Sequence, residues 1–337
     1  MAASLACAGL AISACTQPLE ASVVVLKGFL RRQVIQRRSL AALNWLESHG
    51  PSFRIDANAG FAATVAGAHA LPWQVKPLTE LLFLLLVFKR HDLHDKRLRE
   101  LNEFVLQEAA SFDWHALLAY DPSAATPLAM ITDFFLLHVR PPPFETEHFD
   151  ALLGMHYFLG VDRVPYRDMD LAYSLWRLGH AKAMDGAGPL FAETAFGKAQ
   201  RLARYSIDDI YSLTHAIFYL TDLGHRRLSE TIDPKTEARL RRDLIALTAV
   251  MLRADNCDVL GELLLGWRFC RLQVAPHEEA IFQAGVDRII ASMMPDGSVP
   301  STARGHERAL ARKALFTELY HTTLVSALLL SMLERPL

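Results

Sequence analysis

The sequence has few cysteines and almost no net charge. Four cysteines are spread over 337 residues, at Cys7, Cys15, Cys257 and Cys270, which is too few and too scattered for a disulfide framework. Lysine and arginine total 35 against 37 aspartates and glutamates, and their basic clusters are short, so no nucleic-acid partner is expected. The scarcity of cysteine predicts a protein of a reducing, cytoplasmic compartment.

The sequence also lacks a clear export signal and a long apolar run. The stretch from Leu5 to Ala14 is apolar and ends at Cys15, but no lysine or arginine precedes it, as a secretory signal requires. The most apolar segment, Leu78 to Phe88, has about eleven residues, which favours a buried helix over a membrane span. We therefore expect no membrane span.

Strand patterns are absent, and helical patterns dominate the chain. Valine and isoleucine do not alternate with polar residues, and no Asn-Gly or Asp-Gly hairpin has strand-like flanks. Asp296-Gly297 reads as a turn between helices. The predicted fold class is all-α.

Six strongly apolar helices recur at intervals of roughly 40 to 60 residues. Their predicted cores are Leu78–Arg90, Leu128–Arg140, Asp168–Gly179, Asp208–Gly224, Cys257–Leu272 and Glu318–Leu333. Two align without gaps, because Tyr166 to His180 and Tyr211 to His225 both begin with tyrosine and end in Leu-Gly-His. More amphipathic segments lie between them, over Asp95–Ala110, Lys235–Ala254 and His277–Met294.

This alternation predicts two concentric rings, with buried inner helices and half-exposed outer helices. Such an α/α toroid, with about six helices in each ring, has a cavity at one end of the inner barrel. We expect one domain over residues 1–337, with residues 1–70 as a helical extension at its N-terminus. Polar residues near the N-terminal ends of the inner helices would line the cavity.

Three candidate zinc ligands lie at two of these helix entrances. Asp255 and Cys257 open the fifth inner helix, and His321 lies near the start of the sixth. Carboxylate, thiolate and imidazole all bind zinc, and three protein ligands leave the fourth position open for chemistry. The alternatives are a buried hydrophobic role for Cys257 and a core histidine bonded to a backbone carbonyl at His321.

The spacing of these residues resembles the zinc site of the protein prenyltransferase β-subunits, which belong to the terpenoid-cyclase-like α/α toroids. That family has Asp-x-Cys at one inner helix and a Tyr-His-Thr motif at the next. Here Asp255-Asn256-Cys257 is followed by Tyr320-His321-Thr322, and Met293 to Ser301 resembles the Asp-Gly turn of these toroids. The resemblance implies zinc bound by Asp255, Cys257 and His321.

Other family features are missing. No basic diphosphate pocket or aromatic lipid funnel is evident, so zinc does not imply prenyl transfer. Ser206-Ile207-Asp208-Asp209 approaches the acidic motif of terpenoid cyclases, but its first acidic position is serine. The Cys, Cys-His pattern of peptide lanthionine cyclases, which share the toroid, is absent.

A second polar cluster lies on the fourth apolar helix. Asp208, His215 and Asp222 are spaced by seven residues, with Tyr211 on a nearby face. The repeat places Asp170 opposite His215 and Tyr166 opposite Tyr211, and a carboxylate–imidazole pair there would act as acid or base. The alternative is an internal hydrogen-bond network that braces the barrel.

We predict catalytic roles for His215, Tyr211, Asp208 and Asp170. Arg167, with Asp168 beside it, would hold a charged end of the substrate, although an ion pair at a helix start is also typical. Tyr166 and Tyr320 complete the predicted substrate contacts.

Together these patterns favour a zinc-dependent enzyme that acts on a small or peptide-like substrate. Bound zinc lowers the pKa of a thiol or water, and this mixed ligand set suits thiol activation for carbon–sulfur bond formation or alkyl transfer. The alternatives are a zinc-dependent hydrolase or lyase, a metal-free terpenoid cyclase that uses Asp208 and Asp209, and a non-catalytic toroid that binds a lipid or peptide. The oligomeric state stays open.

Overall fold

The computed structural model describes residues 30–66, 70–158, 163–199, 201–272, 275–311 and 315–334. These residues form helices and no β-strand, which confirms the all-α fold class. Cys7, Cys15 and the apolar stretch before Cys15 lie outside the described residues. The α-helices are α1 (30–48), α2 (Ala59–Ala66), α3 (Ala70–Arg90), α4 (Lys96–Ala110), α5 (Trp114–Tyr120), α6 (Ala125–Leu137), α7 (Thr146–Gly154), α8 (Pro165–Arg177), α9 (Ala187–Glu193), α10 (Ile207–Leu220), α11 (Pro234–Ala254), α12 (Cys257–Phe269), α13 (Pro276–Ser292), α14 (Ala303–Leu310) and α15 (Phe316–Leu333).

The six predicted apolar helices correspond to α3, α6, α8, α10, α12 and α15. Each packs against the next in this order, and α15 packs against α3, so their contacts form a closed cycle that we call the six-helix ring. The largest boundary difference is at α3, which begins at Ala70 and continues through Pro77. Burial of these apolar helices against one another accounts for most of the core.

The amphipathic segments form helices that pack beside the ring. α4 contacts α3, while α11 and α13 contact α12 and each other. Asp95 caps α4 because its side chain accepts a hydrogen bond from the Arg97 amide at 2.8 Å. Each of these helices therefore buries one apolar face and leaves the other in water.

The two aligned repeat segments end in the same way. Gly179 after α8 and Gly224 after α10 have φ angles of +97° and +90°, in the left-handed region that glycine adopts easily. The shared Leu-Gly-His therefore marks equivalent helix ends. At the other end of α10, Ser206 and Asp209 form a reciprocal capping box, in which each side chain accepts a hydrogen bond from the other residue's amide.

The turn predicted at Asp296-Gly297 is present and lies against α1. Gly297 has a φ angle of +97°, and a Cβ atom there would lie 2.1 Å from the carbonyl oxygen of Ala41 in α1. Ser39 in α1 also shares a buried hydrogen bond with Ser331 in α15 at 2.8 Å. The first described helix thus packs against the last one.

Two described helices reach the length and hydropathy of a membrane span, over Leu71–Arg90 and Phe316–Leu333. Within the protein, 56% and 72% of their apolar windows are already buried. Both are members of the six-helix ring, where burial against neighbouring helices accounts for their apolar character. They give no clear membrane span.

Candidate functional site

A histidine joins three helices of the ring. His321 Nδ1 lies 3.0 Å from Glu80 Oε2 on α3, and His321 Nε2 lies 3.3 Å from Glu262 Oε1 on α12. Asp258 Oδ1, one turn before Glu262, lies 3.8 Å from the same Nε2 atom. Both ring nitrogens of His321 therefore face carboxylates.

Neighbouring hydroxyl groups hold two of these carboxylates in place. Asp258 accepts hydrogen bonds from Thr322 at 2.7 Å and from Tyr211. Glu262 accepts one from Thr214 on α10. Two of the three carboxylates that face His321 are thus held by hydroxyl groups of adjacent helices, while Glu80 pairs with Lys76 on its own helix at 3.0 Å.

The carboxylates determine the charge of His321. Burial alone would lower the pKa of His321, but the charges of Asp258 and Glu80 and hydrogen bonds to Glu262 and Glu80 raise it well above 6.5. Burial would raise the pKa of Glu262, yet the hydrogen bond from His321 and the charge of His215 lower it. At neutral pH the pair is therefore an imidazolium and a carboxylate.

The second oxygen of Glu262 faces another histidine. His215 Nε2 lies 4.0 Å from Glu262 Oε2, and His215 Nδ1 lies 3.4 Å from the hydroxyl of Tyr219. The Glu262 side chain is 3% exposed, whereas those of His215 and His321 are 23% and 31% exposed. A buried carboxylate thus lies between two imidazoles that solvent reaches.

The residues predicted to be catalytic or to contact substrate are divided between this cluster and its surroundings. Tyr211 and His215 belong to it, and Tyr320 lies next to Glu80, whose charge, after burial, raises the pKa of Tyr320. Tyr166 packs edge-on against His215, with ring centroids 5.8 Å apart. Asp208 is exposed in the first turn of α10.

Asp170 and His215, which were expected to pair with each other, each have a different partner. Asp170 pairs with Arg167 at 2.8 Å, and the carboxylate nearest His215 is Glu262. Asp222 lies beyond the end of α10 and bonds to Arg90 at 2.6 Å and to Tyr173. Helical spacing alone placed these residues on one face, but the helix ends before Asp222.

The interior next to Asp170 is nearly filled. A cavity of about 20 Å³ there is lined by Asp170, Tyr173, Arg177 and Tyr219, and has room for roughly one water molecule. A larger open depression of about 1030 Å³ lies along α3 and α4, and none of the predicted site residues line it. A substrate would therefore approach His215 and His321 from the solvent side.

The three predicted zinc ligands have separate partners. Asp255 forms an ion pair with Arg288, and the Cys257 thiol donates to the Ser292 hydroxyl at 3.2 Å, both on α13. Burial raises the pKa of Cys257, which disfavours the thiolate that zinc requires. In the described part of the chain, no three His, Cys, Asp or Glu side chains form a metal-binding group. The residues as placed do not fit a zinc site, and zinc binding stays a prediction from the sequence.

Sequence reasoning missed Glu80, Asp258 and Glu262. These residues have a recognisable signal, because Glu80 is the one acidic residue of α3, and Asp258 and Glu262 are the two acidic residues of α12, and both helices are very apolar. A buried carboxylate needs a partner, so such positions indicate a polar network. The identity of the partner, His321, depends on helix packing.

The chain belongs to a family described as a domain of unknown function, DUF6895, whose model matches residues 39–331. The match covers the whole six-helix ring apart from the last residues of α15. No curated protein and no solved structure matches the chain.

Proposed function

We propose that this member of the family is an α/α toroid that catalyses proton transfer on a small or peptide-like substrate. The closed cycle of contacts among the six apolar helices supports the toroid, as does the packing of amphipathic helices beside it. The observation that carries the catalytic proposal is the buried Glu262 carboxylate between the imidazoles of His215 and His321.

His215 is the proposed acid–base residue. Imidazole accepts and returns protons readily near neutral pH, and His215 is partly exposed. Its contacts of 3.4 Å and 4.0 Å are long, as hydrogen bonds of catalytic groups often are before substrate binds. The proton that His215 removes from one atom of the substrate returns to another atom, so the net reaction is an isomerisation, cyclisation or elimination.

Glu262 is the carboxylate that faces His215. The lowered pKa of Glu262 keeps it ionised, so a negative charge lies 4.0 Å from the Nε2 atom of His215. His321, held as a cation by Glu80 and Asp258, keeps Glu262 ionised and contacts its Oε1 atom. His321 is thus a positioning residue rather than a proton donor.

Zinc-dependent thiol activation has less support, because Asp255 and Cys257 bond to α13 instead of facing His321. No step proposed for His215 requires a metal. Elemental analysis of purified protein tests the zinc prediction. Zinc bound in a one-to-one ratio and lost in Cys257→Ala would favour the thiol-activation reading over proton transfer.

The proposed reaction is tested by deuterium incorporation. Purified protein is incubated with extracts of small metabolites in D2O, and mass spectrometry identifies compounds that gain deuterium or are converted. The wild type should act on at least one compound, and His215→Asn should slow that reaction by about 100-fold or more, because general acid–base catalysis contributes that much.

A matched control is His225→Asn, since His225 is a second histidine in the repeat segment from Tyr211 to His225 that contains His215. His225 lies beyond the C-terminal end of α10 and stacks on His91 at 4.5 Å. It should retain the wild-type rate. Equal rates in wild type and His215→Asn, with both proteins folded, would contradict the proposal.

A further inference from the structure

Arg167 differs from Arg90 and Arg177, two other arginines of the ring helices. Its side chain is 51% exposed and it forms an ion pair with the buried Asp170 at 2.8 Å. Arg90 is 10% exposed and bonds to Asp222, while Arg177 forms two hydrogen bonds to Asp133. Those arginines are enclosed by their partners, whereas Arg167 is anchored on one side and faces solvent on the other.

Two contacts fix the direction of the Arg167 guanidinium. Asp170 holds Nη1, and the Arg167 Cζ atom lies 4.9 Å from the centre of the Tyr166 ring. Stacking on an aromatic ring and pairing with a buried carboxylate reduce the entropy lost when the group binds a ligand. A guanidinium has five N–H donors, so these partners leave donors for a ligand.

Tyr166 connects this guanidinium to the proposed acid–base residue. One ring contacts both Arg167 and His215, at centroid distances of 4.9 Å and 5.8 Å. A small molecule bound to Arg167 would therefore extend over Tyr166 to His215. That arrangement places a charged group of the substrate at one end and its reacting atom at the other.

We propose that Arg167 binds an oxyanion of the substrate, either a carboxylate or a phosphate. This inference rests on the proposed proton transfer at His215, and it names the substrate class. Carboxylate and phosphate oxygens match the forked geometry of guanidinium, which binds them through two parallel hydrogen bonds. Tyr166 positions the guanidinium, and Asp170 prevents it from rotating away.

Anion binding is measured without turnover. Protein with isotope-labelled histidine is titrated with sodium acetate and, separately, inorganic phosphate at constant ionic strength, and the NMR signals of the His215 ring are followed. Wild type should show a saturable shift with at least one anion, and the tighter anion identifies the oxyanion as carboxylate or phosphate. Arg167→Gln should weaken that binding by about tenfold or more, since it removes a charge-assisted pair.

Two further variants keep the test decisive. Arg226→Gln is the matched control, because Arg226 also stacks on an aromatic ring, Trp176 at 4.3 Å, but that ring is not the one that packs against His215. It should bind as wild type does. Arg167→Lys keeps the charge and loses the fork, so it should bind more weakly than wild type even if Arg167→Gln does not fold.

The inference is overturned by the absence of a saturable shift with both anions, or by equal binding in wild type, Arg167→Gln and Arg167→Lys. Either result leaves the deuterium assay of His215→Asn unaffected, so failure of anion binding is distinguishable from failure of the proton-transfer proposal.

Discussion

Glu262 Oε1 lies 3.3 Å from His321 Nε2, although 59 residues separate the two in the chain. The pair links the fifth and sixth helices of the ring, and His321 also contacts Glu80 on the first. This one histidine therefore connects the end of the ring to its beginning. His321, Glu80 and Glu262 therefore both set the charges of the proposed site and link the last helix of the ring to the first.

The acidic residues at the start of α10 either cap the helix or act as a catalytic acid motif, and substitutions distinguish these two roles. Ser206 Oγ accepts from the Asp209 amide at 3.1 Å, so Ser206→Ala should lower the free energy of unfolding by about 1 kcal/mol. Asp208→Asn removes only an exposed charge from the first turn of α10, so it should lower stability by about 0.5 kcal/mol and leave activity unchanged. Urea unfolding and the deuterium assay measure these effects. Loss of activity in Asp208→Asn would favour an acid motif of the terpenoid-cyclase kind.

Much of the fold follows from the sequence. The recurrence of apolar segments predicts all six ring helices. The repeated Leu-Gly-His predicts two helix ends at which glycine has a positive φ angle. These features are local, since they depend on residues within one helix turn of each other. The all-α class and the order of apolar and amphipathic helices were therefore predictable.

The site was only partly predictable, because its pairs join distant segments. Tyr211, His215 and His321 were identified from their types and positions, but the direction of each side chain depends on how the helices rotate in the packed ring. Cys257 lies at the entrance of α12 as expected, yet its thiol bonds to Ser292 on α13. Asp258, the next residue, bonds to Tyr211 and Thr322 on the neighbouring ring helices.

Val139 occupies a position that usually requires glycine. It follows α6 with a φ angle of 55° and is 93% exposed, so its β-branched side chain is strained and makes little compensating contact. Val139→Gly should raise the free energy of unfolding by about 1 kcal/mol. Val250→Gly is the control, because Val250 is also exposed but lies within α11, where glycine should destabilise. Thermal unfolding that shows equal losses in both variants would contradict the assigned strain.

The turn at Gly297 should tolerate no side chain. Its φ angle is +97°, and a Cβ atom would meet the Ala41 carbonyl oxygen at 2.1 Å, so Gly297→Ala should destabilise the protein by at least about 2 kcal/mol. Gly154→Ala serves as the control, since a Cβ atom there meets nothing within 4 Å. Urea midpoints compare the two. A Gly297→Ala protein as stable as Gly154→Ala would show that α1 does not pack against this turn.

The stacked pair of His91 and His225 should make stability depend on pH. Burial, followed by the charges of Arg90 and His91, lowers the pKa of His225 to about 4, and Arg271 acts in the same direction while Asp222 opposes it. The unfolded chain, with an ordinary histidine pKa of 6.5, then binds more protons between pH 6.5 and 4. The contribution of His225 to stability is complete above pH 6.5 and is lost as the pH falls through 4.

His225→Gln should therefore reduce the loss of stability between pH 7 and pH 4.5. Urea unfolding at several pH values measures it, with His94→Gln as a control because His94 is 69% exposed. An unchanged pH dependence in His225→Gln would mean that His225 titrates alike in the folded and unfolded states.

The measurement that tests the account most directly is the charge of His321. Long-range nitrogen–proton NMR spectra of histidine-labelled protein report which ring nitrogens carry protons at each pH. Because the carboxylates raise the pKa of His321 well above 6.5, both of its nitrogens should stay protonated at pH 8, and Glu262→Gln should lower that pKa. A neutral His321 at pH 7 in the wild type, or a pKa unchanged in Glu262→Gln, would contradict the proposed role of Glu262 as an ionised carboxylate between two histidines.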